Sequence, residues 1–345
     1  MKALVKYARG NGNMEIRDVP EPKAGPGQVK IEVKAAGICG SDLHIFHDDI
    51  AIPINPPFTM GHEFCGIVAE TGEGVTEWKL GDRVTSETAY SFCGRCPQCI
   101  TGFYNLCNER RVLGYWYDGA FASYTVVPQE RIHALPDTVS FTAGALLEPL
   151  ACITHAVLEL MSISVGDVVL ITGPGSIGLG SLQVAKAQGA TVIVAGTGVD
   201  GERLKMAESL GADYAVDATR DDLKALVERV TKGWGADSVI ECSGSAAGAA
   251  AGLELVRKRG QFTQIGLFGK PITVDFEKIC YKELRVTGSL GSRWTSWKKA
   301  IQLVEQGRVK TEPLVSHQMP ITDWEKAFHL FESKAGMKLV LLPVG

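Results

Sequence analysis

Between residues 37 and 63 the chain gathers a thiol, a hydroxyl, two imidazoles and a carboxylate. Cys39, Ser41 and His44 lie in Gly-Ile-Cys-Gly-Ser-Asp-Leu-His (37–44), and His62 and Glu63 in Gly-His-Glu (61–63). Thiolate and imidazole are zinc ligands. A hydroxyl donates and accepts a hydrogen bond at once, which suits proton transfer. The chemistry expected is a metal held by Cys39 and His62, with Ser41 and His44 moving a proton away. Taken singly, each residue reads better as a buried cysteine or a surface histidine, so the weight falls on what accompanies them.

A second cluster follows. Cys93, Cys96, Cys99 and Cys107 are spaced C-x2-C-x2-C-x7-C. Four thiolates on a compact loop make a closed tetrahedral zinc site, with no position left for substrate, so its role is structural. An iron–sulfur cluster competes for four cysteines; the tight spacing inside a β-rich segment favours zinc. Cys65, Cys152, Cys242 and Cys280 have no such company and read as buried small residues.

A third signal starts at Val168. Val-Val-Leu-Ile-Thr runs into Gly173-Pro-Gly175-Ser-Ile177-Gly178, a strand followed by G-x-G-x-x-G and a helix. In that context the pattern is a dinucleotide cradle: Gly173 for the turn, Gly175 for approach to a pyrophosphate, Gly178 for close packing of helix on strand. The second strand lacks the usual terminal acid for the adenine ribose and runs into Gly196 and Thr197. Asp200 is the nearest carboxylate, and Arg203 is placed to pair with a 2′-phosphate, so NAD and NADP both stay open. Ser243 and the run Gly266-Leu267-Phe268 follow strand ends, where ligands approach an open α/β sheet.

The elements that must position these residues separate into two textures. The first ~150 residues are β-rich, with strands expected at 3–7, 28–35 and 63–70 between Gly and Pro turns. From 141 to 160 the chain is apolar and Ala-rich, a helix expected to break at Pro149. Strands at 168–172, 191–195, 214–216, 238–241, 261–265 and 284–288 then alternate with helices at 177–188, 201–210, 221–231 and 247–256. That alternation predicts a doubly wound parallel sheet. Helices at 295–306 and 323–333 precede a last strand, 338–342, which has no partner in the nucleotide half and is expected to return to the first domain.

The 345 residues exceed one compact core, and the net charge of −4 offers no field for nucleic acid. No apolar run approaches the ~20 residues of a membrane helix, and residues 1–6 carry no signal-peptide core. A cytoplasmic protein is expected, in which nine cysteines point to metal or catalysis rather than disulfides.

Taken in order, the 37–44 segment, Gly61-His62-Glu63, the four-cysteine lobe, Glu148 and the dinucleotide pattern resemble the zinc-containing medium-chain dehydrogenases over essentially the whole length. Leu146-Leu-Glu148-Pro-Leu150, Gly81-Asp-Arg-Val-Thr-Ser-Glu87 and Gly288-Ser-Leu-Gly-Ser-Arg293 are similar to the polyol branch, and most of all to its arabitol-phosphate type. Threonine dehydrogenases share much of the pattern.

The resemblance implies an α/β chain with a GroES-like β-barrel catalytic domain (1–152, structural zinc lobe 90–110). It also implies a Rossmann dinucleotide-binding domain (153–291) and a return to the catalytic domain (292–345). It implies a catalytic zinc on Cys39, His62 and Glu63, with Glu148 as a further ligand or a partner of the zinc's water. Ser41 and His44 fall on the relay positions, with a ribose hydroxyl between them, and Glu87 and Arg293 on positions near substrate. The implied reaction is hydride transfer between a secondary alcohol of a polyol, free or phosphorylated, and NAD or NADP, in a homo-oligomer of two or four subunits. An amino-alcohol dehydrogenase of the threonine type is the alternative within the fold, and a nucleotide-binding structural protein without turnover the alternative outside it.

Overall fold

The computed structural model describes residues 1–344. The chain divides into two compact units. One comprises Met1–Pro149, Ser292–Glu305 and the segment from Lys310 onward; the other comprises Leu150–Gly291 and Gln306–Val309.

The main sheet of the first unit is built around Gln28–Gly37, a strand in which Val29, Ile31, Val33 and Ala35 share one buried face. Its sheet runs Ile132–Ala134, Arg83–Ser86, Glu63–Thr71, Gln28–Gly37, Lys338–Leu342, Val315–Pro320, and Tyr124–Pro128 also pairs with the central strand. The register matters for the site. Gly37 lies opposite Glu63 on one side and Val340 on the other, so the loop that carries Cys39 leaves the sheet beside both. Lys338–Leu342 pairs within this unit, where the sequence placed it. Val315–Pro320 was not expected, although its residues alternate between half-buried and exposed as a strand's do. A smaller sheet joins Met14–Asp18, Lys2–Lys6 and Phe58–Thr59. Leu4, Ile31, Ile38, Phe58, Met60, Phe64 and Leu339 belong to one buried core.

The helix expected over 141–160 is two helices, Phe141–Gly144 and Leu147–Leu158. Pro149 does not break it. It sits in the first turn of the second helix, where its missing N–H has no intrahelical partner to lose.

The second unit is one parallel sheet, in the order Tyr214–Asp217, Thr191–Gly196, Val168–Thr172, Ala236–Glu241, Val256–Gln264, Arg285–Gly288. The strand expected at 261–265 begins earlier, at Val256. The charged run Arg257-Lys258-Arg259 disguised it as a loop, and a register shift between Ala236 and Ser238 accommodates it. The core is made by Leu170, Ile193, Val239, Leu253 and Phe262. Cys280 corrects the expectation of a buried cysteine: it is exposed, on the short surface helix Glu277–Tyr281. No described helix is long and apolar enough to cross a membrane.

Candidate active site

Cys39 is the N-cap of the helix Gly40–His47. It forms a capping box with Asp42, whose carboxylate accepts from the Cys39 N–H at 2.8 Å. The cap fixes the thiol at the end of the sheet and places Ser41 in the first turn. Asp42 is fully buried and its other oxygen faces His62 Nδ1 at 3.5 Å. His62 Nε2 faces Ser41 Oγ, also at 3.5 Å. Glu63, opposite Gly37 in the register, brings its carboxylate to the same place. One ligand atom each from Cys39, His62 and Glu63 lie within 4.8 Å of one another. Sulfur, imidazole nitrogen and carboxylate oxygen at that spacing fit a zinc ion with a position left open.

Two side chains frame this group. Lys338 is buried and its ammonium pairs with Glu63. Burial alone would lower the Lys338 pKa; the charges of Glu63, Cys39 and Glu148 outweigh that and raise it. Tyr115 stacks on His62, ring centroids 5.0 Å apart, and donates from its hydroxyl to Ser41 Oγ at 2.6 Å. Burial pushes its phenol above the ordinary tyrosine value. Glu148 is buried in the first turn of Leu147–Leu158 and acts on Lys338, but its carboxylate is outside the three close ligand atoms. His44 turns outward, bonded to Asp49 at 2.8 Å.

The four cysteines converge as well. The separations Cys93–Cys99, Cys96–Cys99 and Cys107–Cys93 are 3.9, 3.4 and 3.6 Å. A tetrahedron of ~2.3 Å zinc–sulfur bonds has edges of about 3.8 Å, so the sulfur cage fits zinc. Backbone N–H groups of Arg95 and Cys96 lower the Cys93 thiol to about 7.

In the second unit, Gly173 has φ 94°, and a Cβ there would lie 2.6 Å from Ser243 Cα. A Cβ on Gly178 would lie 1.9 Å from the Gly173 carbonyl. Gly175 caps the helix Ser176–Ala187, and Ile177 and Gly178 follow in its first turn, so free N–H groups point out of the Gly173–Gly178 turn as a pyrophosphate requires. Glu241, fully buried at a strand end, accepts from the N–H groups of Ser243 and Gly244 and from Gln264. It thereby shapes the loop that carries Ser243. Thr197 donates through N–H and hydroxyl to Asp200 at 3.0 and 2.9 Å, and Arg203 approaches Asp200 at 3.4 Å. Leu267 is exposed, and Phe268 packs partly against the core.

Residues 25–137 match the alcohol dehydrogenase GroES-like domain, and residues 176–306 match the family described as zinc-binding dehydrogenase. This chain belongs to the zinc-binding dehydrogenases. It is 47% identical over 345 residues to sorbitol dehydrogenase of Halalkalibacterium halodurans, covering 100% of both chains. It is 41% identical over 329 residues to D-arabitol-phosphate dehydrogenase of Enterococcus avium, covering 95% of this chain and 93% of that one. Its identity to L-threonine 3-dehydrogenase of Bacillus velezensis is 37% over 347 residues, covering 99% of each. The structure of 2R,3R-butanediol dehydrogenase from Bacillus subtilis superposes with a TM-score of 0.89 at 33% identity, covering 99% of each chain. The medium-chain resemblance is borne out, and the polyol branch agrees with the first two relatives. The arabitol-phosphate likeness is the weaker of those two. The dehydrogenase is an oxidoreductase that works with zinc and a nicotinamide dinucleotide.

The two positions expected near substrate are engaged by neighbouring side chains. Glu87 of the dehydrogenase is 2% exposed, and its carboxylate is taken by Tyr104 at 2.6 Å, His133 at 3.0 Å and Arg131 at 3.3 Å. The guanidinium of Arg293 lies over the Phe103 ring at 4.1 Å. Both tie the cysteine lobe to its surroundings. Sequence reasoning passed over Asp42 and Lys338. The spacing C-x-x-D was the signal for Asp42, and a lone lysine opening an apolar strand was the signal for Lys338.

Proposed function

We propose that the chain oxidises a secondary hydroxyl of a polyol, free or phosphorylated, to the ketose, with NAD or NADP taking up the hydride. The observation that carries this is the donor set: one sulfur, one imidazole and the buried carboxylate Glu63, with Glu148 and a buried ammonium close by. A shell with carboxylate in place of a second thiolate is harder and more hydrophilic, which favours a hydroxyl-rich substrate over an apolar alcohol. The sorbitol and arabitol-phosphate relatives support the same substrate class.

Cys39, His62 and Glu63 would hold the catalytic zinc, with Glu148 as the alternative carboxylate; Cys93, Cys96, Cys99 and Cys107 would hold the structural one. When bound, the catalytic zinc acts as a Lewis acid and makes a substrate hydroxyl more acidic. Asp42 holds His62 with Nε2 turned away from it. Lys338 balances the charge of Glu63. Ser41 takes the substrate proton, and His44, hydrogen-bonded to Asp49, delivers it to solvent. Gly173, Gly175, Ile177 and Gly178 would cradle the pyrophosphate, Thr197 and Arg203 the adenosine end, and Ser243, Leu267 and Phe268 the remainder. Nine free cysteines fit a reducing, cytoplasmic setting. The edge strand Arg285–Gly288, with Val286 and nearby Leu290 exposed, fits a homo-oligomer.

The 37% identity to threonine dehydrogenase supports a second reading, an amino-alcohol substrate. One screen separates them: reduction of NAD and NADP with pentitols, hexitols, their phosphates and L-threonine, with zinc measured on the same sample. Polyol turnover and two zinc ions per chain are expected. Threonine turnover exceeding every polyol would overturn the substrate class, and full turnover by Cys39→Ser would overturn the zinc chemistry.

A further inference from the structure

We infer that Tyr115 is a positioning residue for proton transfer, one that sets the direction of the Ser41 hydroxyl while its ring holds His62. The inference rests on the reading of Ser41 as the group that takes the substrate proton.

Three observations carry it. Tyr115 is 4% exposed and donates to Ser41 Oγ at 2.6 Å, a short hydrogen bond between neutral hydroxyls. Its ring is stacked at 30° on His62, which also faces Ser41. Its backbone is held in a tight loop: the Tyr115 carbonyl accepts from Asn55 at 3.0 Å, and Gly114 donates to Tyr117 at 2.8 Å. The phenol therefore arrives at Ser41 from a fixed direction.

A serine hydroxyl has one proton and two lone pairs, and it rotates to suit its neighbours. A relay needs one acceptor site for the incoming proton and one donor site for the outgoing one. With Tyr115 filling one lone pair, Ser41 keeps one lone pair and its own O–H, and the hydroxyl proton is excluded from the direction of the phenol. The protons balance: one proton enters Ser41 Oγ from the substrate hydroxyl, Ser41's original proton leaves along its O–H to solvent by way of His44, and Tyr115 keeps its own proton throughout. Without the phenol oxygen the hydroxyl turns freely, and the productive geometry becomes one among several.

Tyr115→Phe removes the hydroxyl and keeps the ring on His62. The variant is expected to turn over at least tenfold more slowly, with polyol KM within twofold, unchanged zinc content, and a larger solvent deuterium isotope effect on the turnover rate. Ser41→Ala is run beside it. If Ser41→Ala is impaired and Tyr115→Phe turns over within twofold of the parent, the positioning role is overturned and the reading of Ser41 stands. If Ser41→Ala itself turns over normally, that reading fails, and the inference with it. Loss of zinc from Tyr115→Phe would also overturn it, since the tyrosine would then act through the metal site. A readout independent of turnover uses zinc-free protein with 13C-labelled tyrosine. One slowly exchanging tyrosine hydroxyl proton is expected, absent in Tyr115→Phe and in fast exchange in Ser41→Ala. Its persistence in Ser41→Ala would show that the phenol donates elsewhere.

Discussion

Replacing Lys338 by methionine keeps most of the side-chain volume and leaves Glu63 buried without its ammonium. Breaking a buried pair from one side costs about 3–5 kcal/mol, because the remaining charge is stranded. In zinc-free protein, Lys338→Met is therefore expected to lower the calorimetric transition of the first unit, and Lys338→Arg, which keeps the charge, to recover most of the loss. The same pair shows what a sequence hides at this scale. Cys39 and His62 were legible as candidate ligands from their residue types and company, and Glu63 only through the family resemblance. The roles of Lys338 and Tyr115 were not legible, because a lone lysine opening an apolar strand, or a tyrosine that could wall a cleft, does not name its partner until the fold shows it. For Glu87 the difficulty was reversed: a matching position suggested substrate, and only the fold shows its carboxylate held by Tyr104, His133 and Arg131.

At the scale of elements, the helix Gly40–His47 carries Ser41 and His44, and both of its ends are clamped. Asp48 caps the far end at φ 60°, accepting from the Gly10 N–H at 2.8 Å and pairing with Arg9 at 2.6 Å. Burial pulls the Asp48 pKa upward, but the Gly10 hydrogen bond and Arg9 outweigh it and hold the pKa below the ordinary value. A carboxylate whose folded pKa is depressed contributes stability above its unfolded pKa, about 3.9, and loses it as pH falls through the lower folded value. Unfolding midpoints measured from pH 6 to pH 2 should show a shallower acid limb for Asp48→Asn than for the parent. The loop after Thr191–Gly196 gives a second expectation. A hydrogen bond to a charged group is worth about 1.5–3 kcal/mol, so Arg203→Gln should weaken NADP, its KM rising at least tenfold, and leave the KM for NAD nearly unchanged. Steady-state kinetics with both cofactors checks it. Strand and helix order in this unit was readable from the β–α rhythm and the glycines. Val256–Gln264 was misread at its start because Arg257, Lys258 and Arg259 look like a loop. Val315–Pro320 was missed because a six-residue alternation of mixed polarity has little apolar signal.

At the scale of the whole molecule, the first unit is discontinuous in sequence, and its last strand is far along the chain from the strand Gln28–Gly37 that it joins. Lys338–Leu342 pairs with Gln28–Gly37 and Val315–Pro320, contributes Leu339 and Leu341 to the core, and supplies the Lys338 ammonium. The second unit takes no strand from this segment. Domains fold largely as units, so the two should respond differently to its loss. A chain ending at Gly336 is expected to lose turnover and the catalytic zinc, and with them the calorimetric transition of the first unit. The parallel sheet that carries the turn at Gly173–Gly178 takes no strand from Lys338–Leu342, so the shortened chain should still bind ADP-ribose with an affinity near that of the parent. Isothermal titration with ADP-ribose and zinc analysis on one preparation check both halves. Turnover retained by the shortened chain would mean that the C-terminal strand is dispensable, and that Glu63 keeps its place without Lys338.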